Sequence, residues 1–135
     1  MWIKRAPIRD EADVYAAAQQ AKGLARQLCF DEIGQSRLWT VTLELARNTL
    51  RHGGGGEVRL CSLSHEGRVG LEVQLVDHGP GICDLEQALT DGFSTAGGLG
   101  SGLGAARRLS DEFEIDSRPG GGTRVVARAW RPAEN

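Results

Sequence analysis

The 135-residue sequence has no apolar run approaching the roughly 20 residues that cross a bilayer. Its opening stretch, MWIKRAPIRDEADVY, also lacks the long apolar segment of a secretory signal. Both absences point to the cytoplasm and away from a membrane partner. Basic excess is missing too. The formal net charge is −2, whereas a domain that grips nucleic acid by its phosphates carries a surplus of Lys and Arg. Nucleic acid is therefore not expected as a partner. Three cysteines, Cys29, Cys61 and Cys83, are too few and too scattered for a disulfide framework or a C-x-x-C site. Each has apolar neighbours and reads as a small buried hydrophobe. His52, His65 and His78 show no ligand spacing, so no zinc site is expected. No repeat, low-complexity tract or linker divides the chain, and its length suits one domain over residues 1–135. The P-loop pattern G-x-x-x-x-G-K-[ST] is absent, since no lysine follows the glycines.

What is present begins with a short edge strand, WIKRAPI, and two helices. In DEADVYAAAQQAKGLARQLCF, apolar residues recur at helical spacing from Val14 to Leu28, with Asp10 as the cap. SRLWTVTLELARNTLRH predicts a second helix with Ser36 as N-cap and Leu38, Val41, Leu45 and Thr49 along one stripe. The glycines from Gly53 to Gly56 stop it, because glycine suits the left-handed turn past a helix end. EVRLCSL and RVGLEVQLVD alternate as strands around the turn SHEG and predict a hairpin with one covered face. After a long irregular stretch from His78 to Gly102, with a short helix at DLEQALTDG, LGAARRLSDEF reads as helix. FEIDSR and TRVVARAW form a second hairpin turned at PGGG. Strands that pair as hairpins, with helices between them, predict an α+β two-layer sandwich. Its sheet would be mixed but largely antiparallel, covered on one face by helices.

Three segments carry chemistry. In GGLGSGLGAARRL, glycines at alternating positions precede an amphipathic helix. Gly100, Gly102 and Ala105 match G-x-G-x-x-A, but no strand leads into it as a dinucleotide fold requires. The wider physical requirement is met: glycine lets backbone N–H groups approach an anion, and a helix start near Leu103 adds its dipole. Arg107 and Arg108, read in the first turns, add positive charge. On composition alone the same stretch also fits a mobile surface loop. In ELARN, Glu44 and Asn48 stand four apart and share a helical face, with His52 four further on. The amide oxygen is a hard ligand suited to Mg²⁺, and the carboxylate can take a proton from a hydroxyl. A solvated polar face is the plainer alternative. In VDHGPGI, Asp77 follows a strand and precedes a glycine turn. It can accept a hydrogen bond from an exocyclic amine such as that of adenine, or simply cap the turn.

Taken in order, ELARN with RHG, DHGPGI, GLGSGLG and GGGT resemble the ATPase and kinase superfamily of gyrase, Hsp90, histidine kinases and MutL. Over essentially the whole chain the sequence is similar to the small switch kinases of bacterial stress signalling, the RsbT type. The resemblance implies the Bergerat ATP-binding fold and an ATP- and Mg²⁺-dependent serine/threonine-protein kinase. It implies that Asn48 ligates Mg²⁺, that Glu44 is the base, and that Asp77 binds the adenine amine with Thr123 nearby. It also implies that Gly79 and Gly81 make room for the base. The phosphates would be held by the glycines and N–H groups of Gly98, Leu99, Gly100, Ser101, Gly102, Leu103 and Gly104. Phe93, Ser94 and Thr95 would belong to a lid over the nucleotide. Two features depart from the family: glycine rather than proline at Gly104, and the long glycine tract at Gly53 to Gly56.

Glu44 comes too early for a preceding phospho-accepting hairpin, and no transducer domain is expected after the kinase fold. The acceptor is therefore expected on another protein. The resemblance implies a STAS-domain antagonist as substrate, a phosphatase activated by the free kinase, partner switching in the stress response, and a homodimer as one assembly. Two other readings remain at this point: an anti-sigma factor of the same fold that binds a sigma factor, and a non-catalytic nucleotide-sensing module.

Overall fold

The computed structural model describes residues 3–81 and 101–132. Strand β1 (Ile3–Ile8) leads into helix α1 (Glu11–Gln27). Asp10 caps α1 as its sequence predicts, accepting a hydrogen bond from Asp13 N at 2.9 Å. The helix ends at Gln27, short of the apolar residues that follow it in sequence. Phe30 N donates to Ala25 O and Cys29 N to Arg26 O, the paired bonds of a Schellman turn, with Cys29 at φ 66° in the position glycine usually takes. That turn points Cys29 into solvent, whereas Phe30 returns to the core at 4% exposure. The expected burial of Cys29 is thus corrected by the helix end; Cys61 is buried, and Cys83 lies outside the described residues.

Helix α2 (Glu32–Gly53) begins a turn before the expected Ser36. Asp31 is the cap, accepting from Gly34 N at 2.7 Å, and Phe30 anchors the entry, so Ser36 lies inside the helix. Gly54 closes α2 at φ 74°, as the glycine tract predicts. Strands β2 (Gly56–His65) and β3 (Arg68–Asp77) then form the first hairpin. Helix α3 (Ser101–Leu109) precedes the second hairpin, β4 (Glu112–Arg118) and β5 (Gly122–Trp130). α3 stops at Leu109 rather than running to Phe113, because Glu112 and Phe113 already pair with Arg128 and Ala127 of β5. The expected short helix at DLEQALTDG lies outside the described residues.

The sheet order is β1-β2-β3-β5-β4, and every pairing among the described strands is antiparallel. No described pair supplies the parallel component of the expected mixed sheet. Two helices separate β1 from β2, so the chain reverses three times, an odd number, and β2 returns antiparallel beside β1. Period-two alternation sends Val58 and Leu60, Leu71, Val73 and Leu75, and Val125 and Ala127 to one face. There they meet Leu38, Val41 and Leu45 of α2 and the alanine-rich face of α1, all within one core. No helix among the described residues is long and apolar enough to cross a membrane. On the opposite face of the sheet, Arg128 of β5 donates to Glu72 of β3 at 2.7 Å and to Glu112 and Glu114 of β4 at 3.3 Å each.

Candidate functional site

α2 links the two ends of the site. Glu44 and Asn48 project from successive turns, each half-buried, and the Asn48 amide makes no hydrogen bond among the described residues. Nine residues beyond Glu44, the helix ends at Gly53, against Asp77. A helix rises 1.5 Å per residue, so the two ends lie about 14 Å apart along α2.

At the Gly53 end, Asp77 closes β3 with its carboxylate turned toward the helix layer and only 6% of the residue exposed. Its Oδ1 accepts a hydrogen bond from Gly79 N at 2.9 Å, the Asx geometry that the DHG sequence favours. A Cβ on Gly53 would stand 2.6 Å from Oδ2 and collide with Cγ, so only glycine lets α2 come this close. Gly79 in turn lies against Gly53, and a Cβ there would be 2.6 Å from the Gly53 Cα. Gly81, at φ 79°, abuts the Arg118 carbonyl, and Pro80 O accepts from Gly120 N at 2.7 Å. The missing side chains of Gly79 and Gly81 thus make room for neighbouring backbone. Thr123, 7% exposed, pairs directly with Asp77 across β3 and β5. Its hydroxyl lies 2.8 Å from Ser117 Oγ on β4. A cavity of about 260 Å³, lined by Asp77, Thr123, Asp116, Arg118 and Arg124 among others, opens at this end of the sheet.

At the other end, α3 packs on α2. A Cβ on Gly102 would come within 2.9 Å of Glu44 Oε2, so the first described turn of α3 rests on that carboxylate. Leu103 is fully buried in the core, which leaves only its backbone for a ligand. Gly104 is buried with it, and the Ser101 backbone starts the described helix. Gly98, Leu99 and Gly100, with the expected lid residues Phe93, Ser94 and Thr95, lie outside the described residues. Arg107 and Arg108 occupy the last turn of α3, not the first. They therefore stand at the carbonyl end of the helix, away from any anion at its start. Arg47 Nη1 lies 3.9 Å from Glu44 Oε1.

Sequence reasoning named Glu44, Asn48, Asp77 and Thr123; the structure sets the first two on successive turns of α2 and the last two opposite each other at the end of β3 and β5. Sequence reasoning missed Ser117 and the contact role of Gly53. The PGGG turn fixes the β4–β5 register, and counting outward from it sets Ser117 opposite Thr123, a signal available in the sequence. Nothing local reveals that Gly53 meets Asp77, 24 positions later.

A family model described as histidine kinase-, DNA gyrase B-, and HSP90-like ATPase matches residues 34–133. The chain belongs to this ATPase family. It is also 41% identical over 123 residues to the serine/threonine-protein kinase RsbT of Bacillus subtilis (strain 168), covering 91% of this chain and 92% of that protein. At that identity over nearly the whole of both, the enzyme class is that of a serine/threonine-protein kinase using ATP. Among solved structures, the catalytic domain of the histidine kinase ThkA, in a nucleotide-free form, superposes with a TM-score of 0.55 at 16% identity. That match covers 95% of this chain and 98% of ThkA's domain, and at such identity the likeness is one of fold.

Proposed function

We propose that residues 1–135 act as one Mg²⁺-dependent switch kinase that transfers the γ-phosphoryl group of ATP to a serine or threonine of a STAS-domain antagonist protein. The free kinase activates a partner phosphatase in a cytoplasmic partner-switching circuit. One observation carries the catalytic part: α2 touches Asp77 with Gly53 at its C-terminal end and receives Gly102 of α3 on Glu44, nine residues earlier. A nucleotide with its base at Asp77 and its phosphates at the start of α3 runs along this helix.

Each residue then has a physical task. Asp77, oriented by Gly79 N, accepts from the adenine amine, and Thr123 adds a hydroxyl held by Ser117. The backbone from Gly98 to Gly104 wraps the phosphates. Asn48 has a half-buried amide with no hydrogen bond among the described residues, and it fits a cation that takes one or two protein oxygens and the rest from phosphates and water. Mg²⁺, when bound there, neutralises phosphate charge. Glu44 accepts the acceptor hydroxyl's proton as the oxygen attacks. Positioning and neutralisation of charge are most of what phosphoryl transfer asks of a protein.

Calorimetry with ATP and Mg²⁺ tests binding. Wild type binds; Asn48→Ala loses the Mg²⁺-dependent part, and Asp77→Asn weakens ATP more than it weakens inorganic phosphate. A wild-type chain with no affinity for Mg·ATP sinks the proposal. Glu44→Gln should keep ATP affinity within a few-fold and slow transfer by about 10²–10⁴, the range of general-base catalysis. Equal transfer rates in the two proteins remove Glu44 from the mechanism.

A further inference from the structure

Beside Glu44, α2 carries a cation whose bonding is incomplete. Arg47 Nε is buried and has no hydrogen-bond partner among the described residues. Its Nη2 donates to Tyr15 Oη of α1 at a long 3.3 Å, and its Nη1 stands 3.9 Å from Glu44 Oε1, beyond hydrogen-bond reach. The guanidinium lies 6.0 Å from the Tyr15 ring centroid, at the limit of a cation–π contact. A guanidinium offers five donors, and a buried one left unmatched is costly. One turn on, Arg51 is exposed and makes no ion pair or hydrogen bond among the described residues. The i,i+4 spacing places the two arginines along one line of α2. Tyr15, 49% exposed, borders that line from α1.

We infer that Tyr15, Arg47 and Arg51 form the docking surface for the phosphoacceptor protein, and that they recognise a segment with carboxylates flanking the acceptor hydroxyl. The inference rests on Glu44 being the base. Given that, the acceptor hydroxyl arrives at Glu44, and the chain around it must cross the adjoining strip of α2. A carboxylate there bonds the Nη groups of Arg47, whose side chain is 22% exposed, and pairs with Arg51, whereas a basic segment meets repulsion. Tyr15 supplies a flat, stiff contact beside the charge.

The probes are two synthetic peptides: a serine flanked by Asp and Glu, and the same peptide with Asn and Gln in their place. Each is titrated calorimetrically into the full chain, with and without Mg²⁺ and a non-hydrolysable ATP analogue. The acidic peptide should bind wild type at least about ten-fold tighter than the amide peptide, the worth of one charge-assisted hydrogen bond. Arg47→Gln with Arg51→Gln should erase that preference while affinity for the ATP analogue stays unchanged. Arg51→Gln alone, at an exposed position, should lower it in part. Arg47→Lys should not restore it, since a point charge lacks the fork. Equal binding of the two peptides by wild type, no binding of either, or a preference that survives the double substitution overturns the inference. Failure of the ATP analogue to bind wild type is a separate result, and it overturns the proposed function instead.

Discussion

A methyl group added at Gly53 and one added at Gly102 should have opposite consequences. At Gly53 the new Cβ meets the Asp77 side chain at its root, 2.5 Å from Cβ, where Gly79 N and burial hold it fixed. Gly53→Ala should therefore cost about 1–3 kcal/mol, as overpacking does, and weaken ATP binding in the same variant. Urea melts and calorimetry on one preparation read both effects. At Gly102 the tight contact of the new Cβ, 2.9 Å, is with Oε2, the far end of the flexible Glu44 side chain, while Glu44 Cβ and O stand at an ordinary 3.7 Å. Alanine is also the better helix former, by about 0.8–1 kcal/mol. Gly102→Ala should leave stability unchanged or higher, yet slow phosphoryl transfer because the base is displaced. A variant that is stable and fully active would show that the contact with α3 does not position Glu44. The thiols differ at the same scale. Burial and the nearby Glu72 charge push the Cys61 thiol above its usual range, while Cys29 is exposed. At pH 8, iodoacetamide followed by mass spectrometry should label Cys29 well before Cys61.

The elements are set by their ends as much as by their stripes. α1 and α2 both start on an aspartate and both leave through a left-handed residue, but α1 uses Cys29 at φ 66° and α2 uses Gly54 at φ 74°. A non-glycine residue in that conformation costs about 1–2 kcal/mol. Cys29→Gly should recover about 1 kcal/mol, raising the urea midpoint. A Cβ at Gly54 has nothing within 4 Å, so Gly54→Ala should lose a similar amount through backbone strain alone. Opposite shifts of the two midpoints are expected; shifts of one sign would show that packing, not conformation, governs these turns. The Asp13 carboxyl at the start of α1 is held below its usual range by hydrogen bonds from the Arg9 side chain and backbone. A depressed carboxyl contributes stability above its unfolded value and loses it as pH falls through the lower folded one. The difference between wild type and Asp13→Asn should accordingly be seen at neutral pH, shrink in acid, and shrink again in salt because the pair is exposed.

At the scale of the molecule, one sheet face is covered by helices and the other by its own long side chains. Arg128 spans β3, β5 and β4 through Glu72, Glu112 and Glu114, and Glu72 and Val126 are buried on that face with no described helix packed on them. The arginine stem covers apolar surface while its head joins three strands. Arg128→Met keeps much of the stem and removes the charge, leaving the Glu72 carboxylate, with an 11% exposed side chain, to Gln74 among the described residues. A loss of about 1–3 kcal/mol is expected in denaturant melts, well short of a deep ion pair because the arginine is itself 24% exposed. Adding Glu72→Leu to Arg128→Met should return much of it, since the stranded charge is then gone. A double variant as unstable as Arg128→Met would show that the stem, not the charge, matters.

Sequence alone carries the order of the described elements, the covered and open faces of the sheet, and the face of α2 that bears Glu44 and Asn48, because periodicity and capping are written locally. It also determined the Asp77 turn, since an Asx bond needs only the residues that follow. Element ends were less legible. Asp31 outcompeted Ser36 as the cap of α2 because Phe30 is anchored in the core, and α3 yielded to β4 where pairing with β5 began. Composition around Cys29 suggested burial, and a turn overrode it. Four features appear only once the chain is folded: Gly53 touches Asp77, Gly102 rests on Glu44, Ser117 holds Thr123, and Arg47 is left with a donor unmatched among the described residues. Each of these depends on how closely two elements approach across the core. That distance is set by the summed packing of both, and no local window of sequence contains it.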